Sequence, residues 1–70
     1  MQYLLVESAE SRGVIIDDVP EGMTNQIIEL ETGYHLVTLE PPPDFSPEIY
    51  EFILRRTSEL SPKVISFEKK

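Results

Sequence analysis

The chain has 70 residues, no cysteine, and 13 acids against 6 lysines and arginines, for a formal net charge of −7. A single small domain over residues 1–70 is expected, and at this size folding buries only about 60% of the surface that the unfolded chain exposes. Without cysteine, disulfides and thiolate zinc sites are excluded, so any additional burial has to come from a second copy or a partner.

The charge is unevenly spread. Residues 1–54 carry one base, Arg12, against eleven acids, and the remainder carries five bases and two acids. Such a surface repels phosphate, which argues against nucleic acid and anionic membranes as main partners. The longest apolar run, Tyr3 to Val6, is far short of the roughly 20 residues that span a bilayer. Its flanks, Gln2 and Glu7, are not those of a signal peptide, so a cytoplasmic location is the expectation.

In chain order, Tyr3 to Ser8 reads as a first strand, apolar on both faces and therefore suited to a central position. Ala9 to Arg12 is a polar connection, and Gly13 releases the backbone into a second strand, Val14 to Ile16. That strand ends in Asp17-Asp18. A turn containing Pro20, Gly22 and Asn25 is expected next, because these residues supply a fixed φ, a positive φ and a local side-chain hydrogen bond. Gln26 to Leu30 and Tyr34 to Leu39 follow as strands, joined by Glu31-Thr32-Gly33 in the manner of a hairpin. The whole reads as a β-meander.

Pro41 to Pro43 ends the sheet run, since proline cannot donate to a ladder. The triplet suits a rigid connector; as one turn of polyproline II it would also suit an aromatic groove. Ser46 as N-cap, Pro47 at the first helical position and Glu48 in the first turn then predict a helix. Its apolar stripe would be Ile49, Ile53, Thr57 and Leu60, widened by Tyr50, Phe52 and Leu54, with Glu51, Arg55 and Glu59 paired on the solvated side. Ile53 is expected in the core. Ser61-Pro62 would stop the helix, and Val64 to Phe67 reads as a last strand whose edge could pair with another copy. The expected class is α+β: an antiparallel sheet of four to five strands with one C-terminal helix packed on a face.

Three stretches carry a resemblance to a known family. Val14-Ile15-Ile16-Asp17-Asp18, Pro20-Glu21-Gly22-Met23-Thr24-Asn25 and Leu30 through Gly33 to His35 resemble the PEGA domain's strand ending in Asp-Gly, its Gly-x-Thr-Pro turn and its Leu-x-x-Gly-x-His hairpin. The likeness covers residues 4–39 or so, with Asp18 in place of the glycine and Asn25 in place of the proline. It implies a small β-sandwich-like accessory module.

Chemical constellations are sparse. His35 is the sole histidine, so a paired-histidine metal site is excluded, and within a strand it reads as a cross-strand packing residue. Asp17, Asp18 and Glu21 could gather around calcium, but the spacing is not that of an EF-hand and turn-forming aspartates are the simpler reading. Gly13, Gly22 and Gly33 are too dispersed for a phosphate loop, and no nucleophile motif is present. The sequence therefore points to a protein without catalytic residues, metal or cofactor: a non-catalytic protein-interaction or accessory module whose partner is another protein or its own copy. The alternative is a small acidic inhibitor that imitates nucleic-acid charge toward a basic protein.

Overall fold

Less and more exposed side chains alternate with period two along Leu4–Glu7, Ile27–Leu30, Leu36–Leu39 and Tyr50–Leu54. The computed structural model describes residues 1–70 as nine strands and no helix. They are β1 Gln2–Glu7, β2 Gly13–Ile16, β3 Val19–Met23, β4 Ile27–Leu30, β5 Gly33–Leu39, β6 Phe45–Ser46, β7 Tyr50–Leu54, β8 Lys63–Ser66 and β9 Glu68–Lys69. One sheet has the order β4-β1-β8, a second the order β3-β2-β5-β7, and β6 pairs with β9 in a short ribbon. All pairings are antiparallel except β1 with β8, which run parallel from Leu4↔Lys63 to Glu7↔Ser66.

The two larger sheets share one core, the arrangement of a β-sandwich. Leu4 and Val6, Val14 and Ile16, Ile28 and Leu30, and Val37 and Leu39 each supply two alternate inward positions, and Leu54, Ile65, Phe45 and Phe67 complete the cluster. Phe67 packs edge-on against both Phe45 and Tyr50, with ring centroids 5.5 and 5.1 Å apart. Aromatic contacts of this geometry add to what area burial alone supplies. Tyr50 Oη also donates to the Ser66 carbonyl (2.7 Å), and Lys63 Nζ lies 5.3 Å from the Phe52 ring centroid, so β7 and β8 are stitched together across the open side.

The α+β class is thus corrected to all-β, because the segment predicted as the C-terminal helix is β7 and irregular chain. Tyr50, Phe52 and Leu54 turn toward the core, whereas Glu51 and Ile53 face solvent. The same residues that widen a helical stripe thereby satisfy a strand at period two. Isoleucine and aromatic side chains prefer the pleated surface, and the ladder to β5 from Gly33↔Leu54 to Val37↔Tyr50 decides the outcome. Ile53, expected in the core, is 60% exposed. Thr57 serves a different purpose, accepting from Tyr3 N–H (2.7 Å) while its own N–H and hydroxyl donate to Gln2 Oε1 (2.9 and 2.6 Å).

Two turns also differ from expectation. Asp17 and Asp18 have φ of 52° and 67°, the positive pair required by a type I′ hairpin, so they form the tight turn and the Pro20-Gly22 stretch becomes the edge strand β3. Proline and glycine are tolerated there because an edge needs no donor on its free side. Gly22 has φ of 117°, and a Cβ at that position would meet Ile28 Cγ1 at 3.2 Å, so glycine lets β3 lie close over β4. Glu31-Thr32 does not close a hairpin: β4 pairs with β1 and β5 with β2 and β7, so this connection crosses between sheets.

The β1–β2 connection is held by the turn after β3. Thr24, only 2% exposed, donates its hydroxyl to the Glu10 carbonyl and accepts from Arg12 N–H, both at 2.9 Å. Asn25, at φ of 64°, clamps Ser8 through Oδ1 to its N–H (3.2 Å) and Nδ2 to its carbonyl (3.0 Å). These side chains add to two backbone bonds between the same segments, Thr24 N–H to the Arg12 carbonyl (2.9 Å) and Asn25 N–H to the Val6 carbonyl (2.7 Å).

Candidate functional site

Oppositely charged side chains pair in two places. Arg12 projects from the β1–β2 connection into a group of acids, donating to Asp44 Oδ1 (2.6 Å) and the Pro42 carbonyl (3.2 Å) and lying 3.6 Å from Glu10. Its guanidinium also lies 5.7 Å from the Phe45 ring centroid. Glu10 in turn receives Lys69 Nζ at 2.6 Å. Hydrogen bonding to Arg12 holds the Asp44 carboxyl below the usual range, and Lys69 does the same for Glu10. This network fastens the proline connection and β9 to the β1–β2 segment. It takes up the only base among residues 1–54, a role that sequence reasoning missed because its shortest contact, Asp44, lies 32 residues away.

The second place is the histidine. His35 Nδ1 lies 2.7 Å from Asp17 Oδ2 and Nε2 lies 2.8 Å from the Glu31 carbonyl, with 12% of the side chain exposed. Two oxygen acceptors on one ring are both satisfied only by the imidazolium, which has two N–H donors. Burial opposes that charge, but the Glu31 carbonyl and the Asp17 carboxylate outweigh it and raise the pKa above the ordinary 6.5. Asp17 Oδ1 accepts from Leu36 N–H at 2.9 Å, and this bond, with the one from His35, lowers the Asp17 pKa below 3.8. Both oxygens of Asp17 are therefore engaged, while Asp18 and Glu21 point to solvent, and no group of three or more His, Cys, Asp or Glu is close enough to hold a metal ion. His35 is more than a packing residue: it bridges the β2–β3 turn and the crossover between the sheets.

The sign of its pH dependence follows. A raised histidine pKa contributes stability that is present below about pH 6.5 and is lost as pH rises through the folded value. The lowered Asp17 pKa contributes stability present above about 3.8 and lost as pH falls through the folded value. Urea midpoints measured from pH 3 to 9 are expected to decline at both ends of this window. His35→Gln should remove the decline on the alkaline side and leave the acid limb; a wild-type midpoint flat from pH 6 to 9 would contradict the charged bridge.

The remaining candidate is a face rather than a cleft. On the outer side of the β3-β2-β5-β7 sheet, Tyr34 and Ile53 are direct cross-strand partners, 57% and 60% exposed. Leu36, two residues along β5, opposes Glu51, and Ile15 opposes Thr38. A shallow groove lined by Ile15, Thr38, Pro41, Pro43 and Glu48 continues this surface toward the proline connection. Tyr34 Oη donates to Glu51 Oε2 at 2.5 Å, which raises the tyrosine pKa and fixes both side chains on the face. A narrower apolar row, Ile27, Leu5 and Val64, crosses the outer side of the other sheet. No helix is long and apolar enough to cross a membrane. No protein-family model, no curated protein and no solved structure matches the chain.

Proposed function

We propose that this protein is a non-catalytic protein-interaction module, working in the cytoplasm and docking through the outer face of the four-stranded sheet. The observation that carries the reading is the exposed Tyr34 and Ile53 pair, continued by Leu36 and Ile15, on a sheet whose inner face is already fully used by the core. Large apolar groups arranged contiguously and bordered by polar ones are what contact surfaces are made of. A fold held without cysteine needs no oxidising compartment, in keeping with the cytoplasmic setting. The likeness to the PEGA domain, an accessory module of sandwich type, points the same way.

Charge mimicry is the weaker reading. Imitating a nucleic acid needs an open stripe of carboxylates, whereas Glu10, Asp44 and Asp17 are paired with Lys69, Arg12 and His35. The test is site-specific photocrosslinking in extracts of the source organism, with the crosslinker at Leu36 and, as control, at Leu5 on the opposite face. A discrete adduct at Leu36, lost in Ile53→Lys and absent at Leu5, is expected. Adducts at Leu5 alone would move the contact to the other sheet and overturn the assignment.

A further inference from the structure

We infer that a second copy of this chain pairs with the first along the free edge of β7, antiparallel and about a two-fold axis at Ile53, so that Glu51 of each copy stands opposite Arg55 of the other. The two four-stranded sheets then become one. This goes beyond the docking reading, since it concerns the edge of the sheet and not its outer face. Leu36 spends both backbone groups on the β2 side, donating to Asp17 Oδ1 and accepting from Asp17 N–H, each at 2.9 Å. Successive residues of a strand bond to opposite sides, so His35 and Val37 bond to their partners Phe52 and Tyr50, and Glu51 and Ile53 aim their N–H and C=O groups away from β5. None of the hydrogen bonds outside the sheets reaches those groups. The other edges are blunted or covered. β3 carries Pro20, Gly22 and a register shift opposite β2. β4 has β3 close over it at Ile28 and Gly22, and β8, the edge expected from the sequence to pair, gives its Ser66 carbonyl to Tyr50 Oη. A row of free backbone groups such as that of β7 is a template for a further strand.

Charge selects both the occupant and the register. Residues 48–63 hold three acids, Glu48, Glu51 and Glu59, and three bases, Arg55, Arg56 and Lys63, so this strip is neutral and the net −7 resides elsewhere in the chain. Two copies can therefore meet here with their acidic parts held apart and screened by salt. Around β7 the acids Glu48 and Glu51 precede the bases Arg55 and Arg56, and antiparallel pairing brings opposite charges together where a parallel one would align like with like. Residues directly opposite one another share a face, so the two-fold axis passes through a residue. At Glu51 it would set two carboxylates against each other, and at Phe52 it would set Glu51 against Ile53. At Ile53 it sets isoleucine against isoleucine and Glu51 against Arg55, all on the outer face. Arg55 is exposed and takes part in no ion pair within the chain. Arg56, at φ of 57°, turns the backbone off the edge and limits the new ladder to Glu51–Arg55. Lys63 rests against Phe52, on the core side of β7, and bonds none of the outward backbone groups. Glu51 keeps its bond from Tyr34 Oη, since a carboxylate accepts several.

The test is sedimentation equilibrium of the whole chain from micromolar to millimolar concentration. A monomer–dimer equilibrium is expected, with Glu51→Lys and Arg55→Glu each weakening it about tenfold and the double variant recovering the wild-type constant, because exchanging the two charges restores both cross-strand pairs. Both positions are exposed, so urea midpoints of the variants should change little. Amide exchange at Glu51 and Ile53 is expected to slow as concentration rises while that at Val64 does not. A monomer throughout, a dimer indifferent to both single variants, a double variant no tighter than the single ones, or a dimer that only Val64→Lys dissociates would overturn the inference. A monomer whose Leu36 crosslink joins a different protein keeps the docking face and removes the self-pairing. A dimer that obeys the charge exchange, without any Leu36 adduct, keeps the self-pairing and removes the docking face.

Discussion

Leu54→Ala is expected to destabilise the domain by about 2–5 kcal/mol, whereas Ile53→Ala, one residue away, should cost under about 1 kcal/mol. Leu54 is fully buried at the end of β7 and Ile53 is 60% exposed on the outer face. The cost at Leu54 combines lost transfer free energy with a cavity that a small sandwich cannot close, and native domains have only about 5–15 kcal/mol to lose. Urea melts of both variants measure the contrast. A helix over Ser46–Leu60 with Ile53 facing the sheet would reverse the order, so the pair also tests the strand assignment directly.

The second large effect is expected at Thr24. Thr24→Val keeps the shape and removes the hydroxyl, leaving Arg12 N–H and the Glu10 carbonyl without the partner each has now at 2.9 Å. A partly buried group stranded in this way costs roughly 1–3 kcal/mol, so a total loss of about 2–4 kcal/mol is expected. Thr24→Ser should retain most of the stability, since its hydroxyl can make both bonds. Hydrogen exchange at the Arg12 amide gives an independent readout: it should speed up in the valine variant more than exchange at Leu4 does. Equal stability of the valine and serine variants would mean that the β1–β2 connection is held by Asn25 and the Arg12 ion pairs instead.

Most strands are legible as local patterns. Tyr3–Ser8, Val14–Ile16, Gln26–Leu30, Tyr34–Leu39 and Val64–Phe67 are short apolar or alternating runs bounded by turn residues, and each overlaps a strand, with Ser8, Gln26 and Phe67 falling outside β1, β4 and β8. The failures have a common cause. Over Ile49–Leu54 both periods fit, because five of the six residues are apolar, and capping signals at Ser46-Pro47-Glu48 tilt a local reading to helix; only the ladder with β5 selects period two. At Pro20–Met23 the residues are those of a turn, yet the true turn is Asp17-Asp18, where aspartate tolerates a positive φ without glycine. The candidate site was less visible still. That Ile53 lies beside Tyr34, and that Arg12 meets Asp44, are facts of pairing between distant segments, and no spacing along the chain encodes them.

The parallel pairing of β1 with β8 bears on the order of folding. Leu4 is matched with Lys63, so the central strand of its sheet gains one flank only after a loop of nearly the whole chain has closed. Loop-closure entropy must be paid before that contact returns anything, and domains dominated by such pairings fold in milliseconds to seconds, not microseconds. During synthesis the β2–β3 hairpin and the β4 contact with β1 can assemble while β8 is still missing, leaving one flank of β1, with Leu4 and Val6, open to other chains. The folding chain is thus most vulnerable to misassociation until β8 has paired with β1, and that strand acts as the latch that ends the exposure.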